Sequence, residues 1–173
     1  MANTTFSGPV RSLNGFISFG PKAVVSLTAD TTLTQATHAG RILTCNDADG
    51  KFTLPSITSG SSSAVAGAND YNVLSNLGCT YTFWVQTLAT DMDILTDGTD
   101  IFYGGVFIGI DSEATGETFV ANASSNDTMT MNGTTTGGIV GSFVQFTAIA
   151  SASYYVTGSL IGSGTIATPF ADA

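Results

Sequence analysis

The residues able to do chemistry are few and scattered. His38 is the only histidine. An imidazole can serve as a general base or a metal ligand near neutral pH. Here no second histidine exists, and no cysteine or acid stands at ligand spacing beside it, so its expected role is structural. The densest acidic stretch is Asp91-Met92-Asp93-Ile94-Leu95-Thr96-Asp97-Gly98-Thr99-Asp100. Leu95 occupies the place where a calcium loop of the EF-hand type needs its third ligand, so that spacing fails. On a strand Asp91 and Asp93 would share a face about 7 Å apart, and paired carboxylates can hydrolyse glycosides. The expected reading is instead a solvated face running into the Asp97-Gly98 turn. No Gly-x-Ser-x-Gly elbow sits between an apolar strand and a helix. Gly137-Gly138-Ile139-Val140-Gly141 lacks the lysine of a phosphate loop. Trp84 and the tyrosines could form a sugar platform, although core or interface packing is the commoner use. Cys45 and Cys79 fall in strand-like runs and are expected to be reduced and shielded. No catalytic residue, cofactor or metal is assigned, and the chain is not expected to be an enzyme.

Composition sharpens this. Of 173 residues, 43 % are hydrophobic and only 10 % charged, against about 25 % charged in a typical soluble domain. The polar surface must therefore come from Thr, Ser, Asn and Gly, which suits a protein covered by partners. The net charge of −9 argues against nucleic acid. All four basic residues, Arg11, Lys22, Arg41 and Lys51, lie in the first 51 positions, and only acids follow. The commoner reading of this distribution is a solvated anionic surface; the sharper one is polarity, with a basic base docked on something acidic and an anionic crown facing solvent. Met1-Ala2-Asn3-Thr4-Thr5 has neither the basic nor the apolar region of a signal peptide. No apolar run approaches the roughly 18 residues of a membrane span, so no membrane partner is expected. The Asn-x-Ser/Thr triplets at Asn3, Asn122, Asn126 and Asn132 are read as accidents of a Thr-rich chain.

The elements that must position these residues are strands. Cys79, Tyr81, Phe83 and Val85 alternate with Thr80, Thr82 and Gln86, the period of a half-buried strand. Residues 36–57 read as a hairpin turning at Asn46-Asp47-Ala48-Asp49-Gly50, where Asp-Gly supplies a φ > 0 turn. A long loop, 58–78, follows. Further strands are expected at 79–87, 92–95, 101–110, 117–121, 127–131, 138–149 and 153–161. Gly104-Gly105 marks a bulge or a close backbone contact. The tail at Phe170 is expected to tuck against its own domain or a neighbour. Dense turns without a 3.6-residue period give an all-β fold, an antiparallel β-sandwich or jelly-roll-like barrel. Residues 1–35 read as an extended N-terminal arm, with the alternative that its apolar pieces are the domain's first strands. Residues 36–173 form the sandwich domain.

Three blocks carry a resemblance: Met1 to Ser12; Thr37-His38-Ala39-Gly40-Arg41 leading to Phe52-Thr53-Leu54-Pro55; and Gly137 to Phe146 with Tyr155 to Thr165 and Thr168-Pro169-Phe170. Together they resemble capsid decoration proteins of tailed bacteriophages, the cement or head-fibre type of marine phages. The resemblance implies a β-rich virion structural protein on the outer capsid surface, made in the host cytoplasm, bound to the major capsid protein and often trimeric. It implies no catalytic residues. The arm would face the shell, with Arg11, Phe16, Ile17, Phe19 and Lys22 as capsid-binding residues. The competing reading is a tail- or head-fibre module that binds host surface glycans.

Overall fold

The computed structural model describes residues 20, 22–58 and 76–172. They form a two-sheet β-sandwich. Strands β1 (Val24–Leu27), β3 (Ile42–Cys45), β5 (Thr80–Val85), β7 (Ile101–Ile110), β8 (Gly116–Val120), β10 (Phe143–Ala150) and β11 (Ser153–Gly162) build one sheet, in the order β1-β3-β5-β10-β11-β7-β8. Strands β2 (Thr31–Thr32), β4 (Lys51–Thr53), β6 (Met92–Leu95), β9 (Thr128–Met131) and β12 (Phe170–Ala171) build the other, in the order β12-β9-β6-β4-β2. Among the described residues the only helix is one turn, α1 (Gln35–His38), capped by the Thr34 side chain.

The strand positions follow the alternation in the sequence closely, but the pairing is mixed rather than uniformly antiparallel. From β1 to β6 the chain winds as a coil, laying each strand alternately into one sheet and then the other. Successive turns of the coil stack in register and parallel: Leu27, Cys45 and Val85 sit side by side in the large sheet, and Phe52 neighbours Ile94 in the small one. Parallel neighbours need a crossover, and here the opposite sheet supplies it. The later strands add the antiparallel pairs β5–β10, β10–β11, β7–β8, β6–β9 and β9–β12.

This corrects the expected hairpin. β3 and β4 do not pair; Asn46 to Gly50 carries the chain across the sandwich. Gly50 is not in the left-handed region. A side chain there would strike the Phe52 ring, 2.7 Å away, and Asp47. Its smallness thus serves the close crossing, which lets Cys45 and Phe52 enter one core from opposite sheets. Within the segment expected as an arm, Val24–Leu27 and Thr31–Thr32 are edge strands of the two sheets, so the sandwich begins well before residue 36. Phe170 does tuck inward, pairing with Met129 as β12.

Inward residues fill one continuous core. An aromatic run crosses it: Phe52 faces Phe83 at 6.2 Å, Phe83 meets Phe146 edge-on at 5.8 Å, and Phe146 meets Phe102 at 5.0 Å. Each fully buried phenylalanine contributes about 1.5–3 kcal/mol of burial free energy. Gly104 is the close backbone contact anticipated above. It lies at φ +89°, and a side chain there would overlap the Val156 carbonyl of the neighbouring strand.

Candidate functional site

The acidic stretch resolves into structural roles. Asp93 Oδ1 accepts from Thr130 Oγ1 at 2.6 Å, and its other oxygen lies 3.8 Å from Lys51 Nζ. Register places all three side by side across β4, β6 and β9. Asp97 accepts from Ser56 Oγ and from the Thr99 amide and hydroxyl. These donors hold its carboxyl below the usual carboxylate range. Asp100 is buried and accepts from the Ile57 amide at 2.9 Å; burial pushes its pKa up. Around the same short segment, Tyr154 Oη donates to the Pro55 carbonyl, and Asn76 donates to Ser56 O and accepts from Thr58 N. The cluster is a clamp on residues 55–58 and 76.

His38 is likewise absorbed. Its Nδ1 accepts the Thr34 amide at 2.9 Å, closing the single helical turn, and burial lowers its pKa. Its neutral form is therefore the one that fits. Cys45 is buried and its thiol is pushed up to about 12; Cys79 is half-buried and its sulfur lies 3.4 Å from Gln35 Nε2. The described triplet asparagines organise loops: Asn122 Oδ1 accepts three successive amides, from Ser124 to Asn126, and Asn132 Oδ1 accepts those of Thr134 and Thr136. Among the described residues no three His, Cys, Asp or Glu side chains are grouped to hold a metal, and no helix is long and apolar enough to cross a membrane.

What the fold does assemble is a surface. Strand alternation sends every second residue of the large sheet outward, and register aligns these residues in rows. One row runs Thr44, Trp84, Phe143, Ser159, Phe107, Thr118 across six strands. The next runs Val24, Ile42, Thr82, Gln145, Thr157, Gly105, Val120 across all seven. A third holds Thr80, Thr147, Tyr155 and Tyr103. None of these residues is ionisable near neutral pH. Only three described strand residues carry charge: Lys51 and Asp93 on the small sheet, and Glu117, which pairs with the inward-facing Ile108.

The surface is level because rings lie over glycines. The Tyr155 ring covers Gly104, where a side-chain carbon would fall 2.8 Å from it. The Phe107 ring covers Gly109 and Gly116. Trp84, Phe107 and Tyr155 nonetheless remain 44–46 % exposed. Beside Phe107 an open hollow of about 560 Å³ is lined by Gly109, Glu113, Thr115 and Gly116. Gln145 Nε2 donates to Thr82 Oγ1 at 3.1 Å within the second row. Such a face can bury a broad, flat, neutral partner through ring contact and hydroxyl hydrogen bonds.

Of the five residues expected to bind a capsid, Arg11, Phe16, Ile17 and Phe19 lie outside the described residues. Lys22 is exposed, two positions before edge strand β1. The sequence points to Trp84 and the tyrosines, Tyr103 and Tyr155 of the third row among them, as a sugar platform, but not to the rows that join them. Their signal was there in the absence of charge from Thr80–Val85, Phe143–Ala150 and Ser153–Gly162, but only the register shows that these stretches adjoin. Searches with the whole chain against protein-family models, curated proteins and solved structures return no match.

Proposed function

We propose that this chain is a capsid decoration protein of a tailed bacteriophage, bound as a homotrimer to the outer surface of the head. The observation that carries the reading is the charge-free, aromatic and Thr-rich face of the large sheet, on a sandwich whose charged residues lie elsewhere. It is the surface of a protein whose work is contact rather than turnover. A decoration protein acts by linkage: it binds the assembled shell and not its free subunits, and so shifts the equilibrium toward the shell. Each copy need contribute only a few kcal/mol, because many copies add. The capsid-facing part is the N-terminal segment with Arg11, Phe16, Ile17, Phe19 and Lys22. Apolar contacts would carry most of its affinity, since exposed ion pairs contribute only about 0–1 kcal/mol each.

The test uses purified heads and full-length protein beside a version lacking residues 1–19, which keeps β1 in place. Full-length protein is expected to co-sediment with heads, to survive a moderate salt series, and to raise the temperature at which heads rupture. The shortened protein is expected to stay folded and not to bind. Failure of the full-length protein to bind would refute the reading. The exposed Trp84 favours a second reading, a fibre module that stacks on host glycans. Copy number per particle separates the two: hundreds for decoration, few for a tail fibre.

A further inference from the structure

We infer that the outer face of the seven-stranded sheet is where a second copy of this chain packs. The role of that contact rests on the decoration reading; the contact itself is argued from the face. The chain carries a net charge of −9, so two copies repel across most surfaces they could bring together. On the outward rows there is no like charge to oppose and no ion to desolvate. The face is therefore the approach on which self-association costs least.

Its size fits. Seven strands at a spacing of about 4.8 Å span roughly 30 Å, and three outward rows cover roughly 20 Å along the strands. The flat area is roughly 600 Å² per copy, or about 1,200 Å² for two surfaces, which reaches the lower bound of a stable specific interface. Its shape fits as well. Tyr155 and Phe107 lie down over glycines, so the contact is not broken by standing side chains. Trp84 supplies a half-exposed anchor of the kind that dominates interface energetics. A polysaccharide would use a ring and its nearest hydroxyls. Here exposed aliphatic residues also mark both margins of the sheet, Val24 and Ile42 on one side and Val120 on the other. That breadth suits another protein face.

The experiment is sedimentation equilibrium of full-length protein at micromolar concentration, with circular dichroism confirming that each variant is folded. Thr157 is exposed on β11, within the neutral face. Thr157→Glu and Thr157→Lys change net charge in opposite directions but place an ion at the same spot. Thr32→Glu, on the exposed end strand of the small sheet, is the control. The wild type is expected to give a multiple of 17.7 kDa. Both Thr157 variants are expected to weaken association by about a hundredfold or more, and Thr32→Glu to leave it unchanged. A monomeric wild type would overturn the proposal, as would Thr157 variants that still associate. Dissociation by Glu but not by Lys would overturn it too, by assigning the effect to net charge. Retention of a monomer on a polysaccharide column, lost in Trp84→Ala, would give the face to glycans instead. A wild type that associates but ignores phage heads supports the contact and refutes the decoration reading.

Discussion

Two buried tyrosines should answer the same deletion with opposite signs. Tyr81 on β5 and Tyr154 on β11 are fully buried, their rings edge-on at 6.4 Å. Tyr154 Oη donates to the Pro55 carbonyl at 2.6 Å. Tyr81 Oη has no hydrogen-bond partner among the described residues. A buried hydroxyl left unpaired costs about 1–3 kcal/mol. Tyr81→Phe removes that cost and keeps the ring, so unfolding free energy should rise by about 1 kcal/mol. For a chain of this length that raises Tm by about 2–4 °C. Tyr154→Phe removes a hydrogen bond worth about 0.5–1.5 kcal/mol and leaves the Pro55 carbonyl without it. Stability should fall by about 1–2 kcal/mol. Urea denaturation followed by circular dichroism measures both, with unchanged slopes required for the comparison. The phenols also predict an alkaline limb. Burial raises both pKa values, so the folded state holds protons that the unfolded state releases above about pH 10. Stability is full below that pH and falls as pH rises past it, and each Phe variant should flatten part of the slope. Tyr81→Phe that destabilises by about 1 kcal/mol or more would refute the reasoning, because the hydroxyl would then have to be satisfied.

The clamp aspartates give opposed acid behaviour. Asp97 is held low by Ser56 and Thr99, so its contribution is present above the unfolded pKa and lost as pH falls through the folded value. Asp100 is raised by burial, so its contribution is present at low pH and lost as pH rises through the folded value. Stability profiles from pH 2 to 7 should therefore lose part of their acid limb in Asp97→Asn, while Asp100→Asn should gain relative to wild type toward neutral pH. Thiol labelling at pH 8 should modify the half-buried Cys79 slowly and reach Cys45, pushed up to about 12 by burial, only on unfolding; fast labelling of Cys45 in the native protein would contradict its burial. Gly104→Ala combines a left-handed backbone with overlap on the Val156 carbonyl, and thermal melts should show a loss of about 2–4 kcal/mol.

The class of the fold and the places of its strands are legible in the chain alone. Alternation such as Tyr81, Phe83, Val85 against Thr80, Thr82, Trp84 is a local property, because a strand's two faces are set residue by residue. It located β5 to β11 within a few positions and excluded long helices. What it did not determine is which strand lies beside which. The run Ile42 to Thr53 carries every local mark of a hairpin, yet its two strands belong to opposite sheets. The outcome depends on where Cys45 and Phe52 find their partners in Val85 and Ile94, about forty residues later in the chain. The roles of Asp97 and Asp100 were equally illegible, since Ser56 and Ile57 reach them only through the packed sandwich. The neutral face is the clearest case. Each of its strands shows a few uncharged outward residues, unremarkable alone. Only the register of seven strands, fixed by the buried core on their other side, joins those residues into one continuous surface.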